Sequence, residues 1–436
     1  MSDFDVEAAR AVEALGRGEN HYAARDLRLA ARAPDLPADP ARLARLLSLW
    51  ERWASGSGLD LLAEHCAAAA ELDSQPLFDT AWEFVEVGLP GVAVPLLQLL
   101  DERHPDTVKV LSELAVALRD DDRPDEVCDV LLRHPTRLED PTLRYLLVSG
   151  AVSAGRVALA RKYAGALEPA GDLAEPVQWV RGALDRVGQL EGVSSLDQLD
   201  LRGWHYALTG GLLLHLSPFG FDDGMAGRYC TVQDSPDQIR LGIARAAAVL
   251  TAWGRPPAAV LELPDPGSQA LARAMGALWK LPVQPWEIGR DGLAVAYDLD
   301  KADPELLPAL GQRGEQLLFV HAARWTKPPP IAPDLLTLLY QHHVAPWEVR
   351  TGVDPKTEEP PSENIGGQRF PQLAHGGDSP DTWAQCIAEA DIGFPKEEGD
   401  PPDTMETLVA FAKGAPPVTG PRTFWRGGPV RSSRFI

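Results

Sequence analysis

The feature that most constrains the fold is a succession of short amphipathic segments in the first 190 residues. These segments are rich in Ala, Leu, Arg and Glu, and their apolar residues recur at helical spacing. The predicted helices are 4–17, 20–33, 39–55, 58–72, 76–87, 91–103, 107–119, 124–134, 141–153, 156–168 and one near 174–190. The links between them are short and contain Gly, Pro or Asp. Because short links make neighbouring helices antiparallel, the sequence predicts stacked helical hairpins over residues 1–192.

One order of small and large residues recurs within this helical region. In 74–107 the first predicted helix carries Ala81, the second carries Ala93, and Gly88 lies between them. Small residues at such positions let two helices approach closely. The larger residues of this unit and its end are Leu77, Phe84, Leu97, Leu100 and Pro105. The order returns in 4–34 (Ala11, Gly18, Ala23, Leu27, Ala30, Pro34), in 108–135 (Leu111, Ala115, Val127, Leu131, Pro135) and in 141–169 (Gly155, Ala160, Tyr163, Pro169).

This order resembles the tetratricopeptide repeat, a helix–turn–helix unit of about 34 residues. The resemblance implies a solenoid whose concave surface binds peptides or protein segments and carries no catalysis. It covers about 170 residues, but 39–73 matches poorly and no distinctive peptide-clamp pattern is present. Any antiparallel helical hairpin with a small-residue crossing shows part of the pattern. A generic helical bundle therefore stays open as the alternative.

The composition changes after Gly192, where predicted strands begin to alternate with helices. Strands are predicted at 204–216 (as one strand or a pair broken at Gly210 and Gly211), 258–263, 283–286, 293–297, 316–320 and 344–347. Helices are predicted at 235–253, 267–280, 304–310 and 332–343. Such alternation predicts an α/β domain over 193–350, with a mainly parallel sheet and helices on its faces.

Three predicted strand ends carry polar groups, and ligands bind beyond the carboxyl ends of strands in sheets of this kind. The first strand end holds Asp265, Gly267 and Ser268, where backbone N–H groups at a helix start would suit an anion. The plainer interpretation is that Asp265 or Ser268 caps the helix.

The second strand end holds Asp298 and Asp300, two carboxylates that would suit Mg²⁺. The alternative is that Asp303 caps a short helix and the other acids are solvated. The third holds His321 and Arg324, a general base or phosphate partner in one interpretation and a structural histidine in the other. The sequence predicts no metal site, no cofactor and no assigned catalytic residue.

The strand, loop and helix over 258–286 are similar in layout to the pyrophosphate-loop unit of phosphoribosyltransferases. That family carries a diagnostic strand that ends in paired acids and a ribose-phosphate loop rich in Gly and Thr. The corresponding region here, 317–326, has no acidic pair. The similarity therefore implies a topology, with the transferase chemistry lost if the ancestry is shared.

Residues 351–436 are dense in Pro and Gly and are predicted to form an extension with helices at 380–390 and 403–413. Basic and aromatic residues cluster near its end: Arg422, Phe424, Trp425, Arg426, Arg431 and Arg434. Three interpretations are open. The cluster is a docking peptide for an acidic partner, a contact to RNA through arginine and aromatic stacking, or an arm that covers this chain's own acidic surface.

Charge and motif content exclude several function classes. With 41 basic against 63 acidic residues, the net charge is −22, so general attraction to nucleic acid or to an anionic membrane is not expected. Four scattered cysteines exclude a disulfide scaffold, and no P-loop, dinucleotide fingerprint, nucleophile elbow or zinc-protease motif occurs. His342 and His343 fall at a predicted helix end, where successive side chains diverge by about 100° and do not share one metal. Without a signal peptide or a long apolar run, a cytoplasmic location and no membrane span are expected.

The leading functional hypothesis is a non-catalytic adaptor or scaffold whose helical repeat binds a protein partner. The α/β domain then serves as a second binding or assembly module. The rival hypothesis is a nucleotide or sugar-phosphate enzyme that acts at the strand ends. A third is a subunit of a larger assembly, held by the arginine and aromatic tail.

Overall fold

A computed structural model describes residues 3–218, 224–314, 316–327, 330–348, 364–365, 368–369, 379–392, 403–424 and 428–431. The chain divides after Arg181 into two compact units. The first is called the helical unit below, and the second the α/β unit. No helix within the described ranges combines the length and the apolar character needed to cross a membrane.

The helical unit consists of consecutive helices joined by short turns, as the sequence predicts. The helices are α1 Asp3–Gly16, α2 Asn20–Ala31, α3 Pro40–Gly56, α4 Asp60–Ala68, α5 Ser74–Glu86, α6 Pro90–Arg103, α7 Val108–Asp120, α8 Pro124–Leu132, α9 Pro141–Ser153, α10 Val157–Ala164 and α11 Ala174–Gln189, within which the division falls. Consecutive helices from α1 to α10 pack on one another, and α5 also contacts α7. The prediction of helical hairpins in this half of the chain is confirmed.

Small residues and glycine turns explain why these hairpins form. Ala81 of α5 and Ala93 of α6 are completely buried where the two helices pack. The turns after α1, α3, α5 and α9 each contain a glycine with φ between +72° and +79°, a backbone conformation that costs other residues energy. These glycines are Gly18, Gly58, Gly88 and Gly155. Their recurrence is the structural basis of the repeated order in the sequence.

The α/β unit contains a seven-stranded sheet in which every pairing is parallel. Its elements are α12 Leu201–Thr209, β1 Leu212–Leu213, β2 Tyr229–Gln233, α13 Pro236–Ala252, β3 Val260–Glu262, α14 Pro266–Trp279, β4 Val283–Pro285, β5 Leu293–Asp298, α15 Leu307–Leu310, β6 Gln312–Arg313, β7 Leu317–Arg324, β8 Leu335–Val344, β9 Asn364–Ile365, β10 Gln368–Arg369, α16 Pro380–Glu389, α17 Met405–Gly414 and β11 Gly420–Pro421. The strand order is β1-β8-β7-β5-β3-β4, and β2 also pairs with β8. Two antiparallel pairs, β6 with β11 and β9 with β10, lie outside this sheet.

Two predicted elements of this unit are wrong in type. Residues 204–216 are predicted as one strand or as a pair broken at Gly210 and Gly211, but α12 occupies 201–209 and ends at Gly210, which has a φ of +72°; only Leu212–Leu213 after the break form a strand, β1. Residues 332–343 were expected as helix and 344–347 as strand, but 335–344 form the single strand β8. Residues 201–209 are buried throughout and 335–341 are buried as well, so neither run shows the polar face that distinguishes a helix from a strand. The strand β2 at 229–233 was not predicted.

Candidate functional sites

The first predicted strand end serves the packing of α14. Asp265 caps the helix, with its Oδ1 accepting a hydrogen bond from the Ser268 N–H at 2.8 Å, so the plainer interpretation is confirmed. Ser268 is buried, and its Oγ accepts a hydrogen bond from the Tyr297 N–H at 2.9 Å. A Cβ on Gly267 would lie 2.9 Å from Trp347 Cζ2, so glycine allows the indole to pack against the helix start. Burial raises the pKa of Asp265.

The second and third strand ends combine buried and exposed groups. Asp298, the last residue of β5, is buried, and its Oδ2 accepts a hydrogen bond from the Tyr340 hydroxyl at 2.8 Å. Asp300 is partly exposed and lies 3.1 Å from Arg324 Nε, measured from its Oδ2. Burial, reinforced by the charge of Asp298, raises the pKa of Asp300. The structure thus places Asp298, Asp300 and Arg324 near one edge of the sheet.

His321 lies inside the sheet rather than at the end of its strand. It is completely buried in β7, and its ring stacks on Tyr297 with centroids 5.4 Å apart. Its Nε2 is 3.0 Å from Asp234 Oδ2, although the angle is not that of a hydrogen bond. A Cβ on Gly242 of α13 would lie 3.1 Å from His321 Nδ1 and 2.6 Å from Thr337 Oγ1. The helix therefore packs directly on this histidine.

Four residues that were not among the sequence candidates complete the site: Asp234, Tyr297, Tyr340 and His343. The Tyr297 hydroxyl donates a hydrogen bond to Asp234 Oδ2 at 2.6 Å. His343 lies between two carboxylates, with Nε2 3.5 Å from Asp234 Oδ2 and Nδ1 3.6 Å from Asp298 Oδ2. We call the following six residues the buried polar network: Asp234, Tyr297, Asp298, His321, Tyr340 and His343.

The charges of this network stabilise one another. Burial alone would lower the pKa of His343, but Asp234 and Asp298 outweigh it and raise that pKa to about 9. Burial alone would raise the pKa of Asp234, but His321 and His343 hold it well below its usual range. Burial and the nearby carboxylates raise the pKa values of Tyr297 and Tyr340. At neutral pH the network thus holds a protonated His343 beside the ionised Asp234.

A sequence signal for His343 existed but was assigned to the wrong element. In a strand, successive side chains point to opposite faces, so an adjacent histidine pair places one ring on each face. In β8 the side chain of His342 is exposed, whereas the side chain of His343 is buried. Asp234 directly precedes Ser235, which caps α13. The sequence around Asp234 does not indicate that its carboxylate lies beside His321 and His343. Within the described ranges, no group of three or more His, Cys, Asp or Glu residues is placed to hold a metal ion.

A second buried charge cluster joins the start of α17 to the rest of the α/β unit. Asp403 Oδ1 accepts a hydrogen bond from Arg202 Nη2 at 2.6 Å, and its Oδ2 lies 3.1 Å from His215 Nδ1 and also contacts Arg245 Nη1. The Leu216 N–H donates to the same Oδ2 at 2.9 Å. Burial alone would raise the pKa of Asp403, but His215 and the two arginines hold it far below its usual range.

The predicted partner-binding arginines and aromatics have different placements. Arg422 is buried, with its Nη2 2.6 Å from Asp334 Oδ2 and further hydrogen bonds to the carbonyls of Leu310 and Gln312. Its guanidinium therefore ties the chain internally, which fits the interpretation of an arm laid over this chain. Phe424 lies with its ring 6.3 Å from that of His205, and Arg431 is exposed. Trp425, Arg426 and Arg434 lie outside the described residues.

The helical unit presents a different kind of site, an exposed surface on α5 and α7. Trp82 is 45% exposed on α5. It lies one turn after Phe78 and one turn before Glu86, on the same side of the helix. From α7, the Lys109 ammonium lies 4.2 Å from the Phe78 ring centroid. We call the following residues the α5–α7 surface: Phe78, Trp82, Glu86, Lys109 and Glu113.

The amino-acid sequence matches no protein-family model and no curated protein, and the structure matches no solved structure. A functional assignment therefore depends on the chain's own residues.

Proposed function

We propose that the chain is a non-catalytic adaptor or scaffold whose helical unit binds a segment of a partner protein on the α5–α7 surface. The observation that carries the proposal is the exposure of Trp82. Tryptophan is rarely left in water, and it is the residue type most enriched among those that dominate binding energy at protein interfaces. The α/β unit then acts as a second binding or assembly module.

The arrangement of the hairpins supports this proposal. Helix α1 contacts α3, α5 contacts α7, and α7 contacts α9, so alternate helices adjoin one another. Alternate contacts of this kind are typical of a solenoid in which each hairpin stacks on the next. We further propose that the hairpins form a tetratricopeptide-like solenoid, with the α5–α7 surface on a row of such alternate helices.

The test is affinity capture from a native lysate with the full chain and two variants. Trp82→Ala removes the exposed indole, and Leu61→Ala is a matched control because Leu61 is 55% exposed on the neighbouring helix α4. We expect a partner protein that the wild type and Leu61→Ala capture in equal amounts and that Trp82→Ala loses. Capture of the same proteins by all three chains, or of none, would contradict the proposal.

A second candidate function is favoured by the buried polar network. Perturbed ionisable groups at the carboxyl edge of a parallel sheet are typical of catalytic sites, because acid–base chemistry needs shifted pKa values. The partly exposed pair Asp300 and Arg324 is the part of this edge that a ligand would meet first. The candidate is an enzyme that acts on a nucleotide or sugar phosphate.

This second candidate is tested by thermal shift with nucleotides and phosphorylated sugars. A genuine ligand should raise the melting temperature of the wild type, and Asp300→Asn with Arg324→Gln should remove the rise. Arg290→Gln is the control, since its guanidinium pairs with Glu287 elsewhere on the surface. If no compound raises the melting temperature, or if the double variant keeps the full rise, the enzymatic candidate fails.

A further inference from the structure

Trp82 and Glu113 lie on the sides of α5 and α7 that face each other. Helices α5, α6 and α7 follow one another through short turns, so α6 is antiparallel to both neighbours and α5 and α7 run in the same direction. The contact between the Lys109 ammonium and the Phe78 ring brings these sides of α5 and α7 together. One helical turn further along both helices are Trp82 and Glu113, and another turn along α5 is Glu86. The electrostatic influence of Glu86 on Glu113 agrees with this placement.

The two carboxylates of this surface outnumber the one cation near them, Lys109, within the described part of the chain. Neither Glu86 nor Glu113 forms an ion pair or hydrogen bond there, and the Lys109 ammonium lies over Phe78 instead. Burial raises the pKa of Glu113, Lys109 opposes this effect, and the like charge of Glu86 adds to it. The surroundings are acidic too, because residues 60–103 contain nine Asp and Glu and one basic residue, Arg103. The surface therefore combines an exposed aromatic face with unneutralised negative charge.

We propose that the α5–α7 surface binds an arginine or lysine side chain of the partner segment, with the cation over the Trp82 ring and beside the carboxylates of Glu86 and Glu113. A cation is attracted to the face of an indole, and tryptophan is the strongest aromatic partner. The carboxylates add direct charge pairing, which arginine satisfies with two parallel hydrogen bonds. This inference rests on the proposed function and specifies the chemistry of its partner.

A partner with a neutral apolar anchor would leave the carboxylates unpaired and would bury them further. Covering a carboxylate without a compensating charge is costly. A cationic side chain instead supplies that charge and, through its methylene stem, covers the ring. The net charge of the helical unit favours the same partner, since residues 1–181 contain 31 acidic and 19 basic side chains, a difference of −12. Charge complementarity thus selects the basic segment over the apolar one.

The experiment is selection from a random peptide library displayed on phage, with the full-length chain as bait. The baits are the wild type, Trp82→Ala, the double variant Glu86→Gln with Glu113→Gln, and the control Glu64→Gln, which removes one exposed charge on α4. Selected peptides are then synthesised with each arginine replaced by citrulline, which keeps the shape and removes the charge. All substitutions are on exposed or half-buried side chains, so folding is preserved and is checked by circular dichroism.

We expect the wild type and Glu64→Gln to enrich peptides with arginine or lysine. The double variant and the citrulline peptides should each lose about tenfold or more in affinity. Enrichment that depends on Trp82 but yields peptides without basic residues would overturn this inference and leave the proposed function standing. If the Trp82→Ala bait enriches the same peptides as the wild type, both this inference and the proposed function are overturned. Full affinity of the citrulline peptides would also overturn the inference.

Discussion

The two units of the chain differ in how far they bury and pair charged side chains, although the helical unit also buries Asp26, Glu83 and Asp101. The α/β unit buries ionised side chains and pairs them internally, in the buried polar network, around Asp403 and between Asp334 and Arg422. The helical unit builds its core largely from Ala and Leu and leaves Trp82 in water. Buried charges are costly unless they are paired, and each pairing fixes segments that are distant in sequence. The difference indicates that internal ion pairs specify the α/β topology, whereas apolar packing supplies most of the core of the helical unit.

The largest expected effect comes from neutralising Asp403. In Asp403→Asn, Arg202, Arg245 and His215 lose the carboxylate that they share, and removing one partner of a buried ion pair costs about 3–5 kcal/mol of the free energy of unfolding. Urea denaturation gives the free energy, and hydrogen exchange read by mass spectrometry shows which segments open. Faster exchange is expected in α12, α13 and α17.

Glu406→Gln is the control for this variant, because Glu406 is exposed on the same helix and its change should stay within about 0.5 kcal/mol. Equal unfolding free energies for Asp403→Asn and Glu406→Gln would mean that the buried charges do not hold the α/β unit together. Buried ion pairs would then not distinguish the stability of the α/β unit from that of the helical unit.

The next effect is a pH dependence from His343. Its folded pKa of about 9 exceeds the ordinary value of 6.5, so the protonated ring favours the folded state below pH 6.5. That contribution is lost as the pH rises from 6.5 to 9, and its upper limit is about 3 kcal/mol. Burial lowers the pKa of His215, whose contribution instead grows as the pH rises through its ordinary range. The unfolding free energy of the wild type and of His343→Gln should therefore be compared across pH 6.5 to 9.

We expect His343→Gln to flatten the decline over this window, whatever its absolute stability. His342→Gln supplies the matched control, since the neighbouring ring is exposed on the opposite side of β8. If the slopes of the wild type and His343→Gln coincide, His343 does not carry the charge that the network geometry assigns to it.

The same contrast explains how much of the molecule the sequence could predict. The helices of the first unit were located within a few residues because most have one apolar and one polar side and short links containing Gly, Pro or Asp bound them; α9, which is buried over most of its length, was located from its links. The strand β8 and the helix α12 were assigned the wrong type because α12 is buried throughout and β8 is buried over 335–341, and a continuous apolar run fits either structure. That error hid His343, which only a strand turns into the core.

The candidate sites show a second limit, which concerns pairing. Asp298 and His321 were identified from their positions near strand ends, but their partners Asp234 and His343 join them only through the pairing of distant strands. Arg422 was assigned to a partner because its neighbours are basic and aromatic, yet Asp334 lies beside it in the fold. The sequence near these residues does not predict either set of contacts, because each set depends on which distant segments become neighbours in the fold. Local patterns predict elements, whereas the contacts between buried charges come from topology.

The smallest expected effect on stability is that of Trp82→Ala, and it sharpens the comparison most directly. An exposed side chain contributes little to folding, so the free energy of unfolding should change by no more than about 0.5 kcal/mol. Trp50→Ala provides the contrast, because this indole of α3 is completely buried against Phe84 and its truncation should cost about 3–5 kcal/mol. Both values follow from urea denaturation of the full chain. A large loss of stability in Trp82→Ala would mean that the indole is structural, and the loss of binding expected in that variant would then say nothing about a partner. Unchanged stability combined with lost binding would show that Trp82 serves partner binding and not folding, because an exposed indole is not needed for a stable fold.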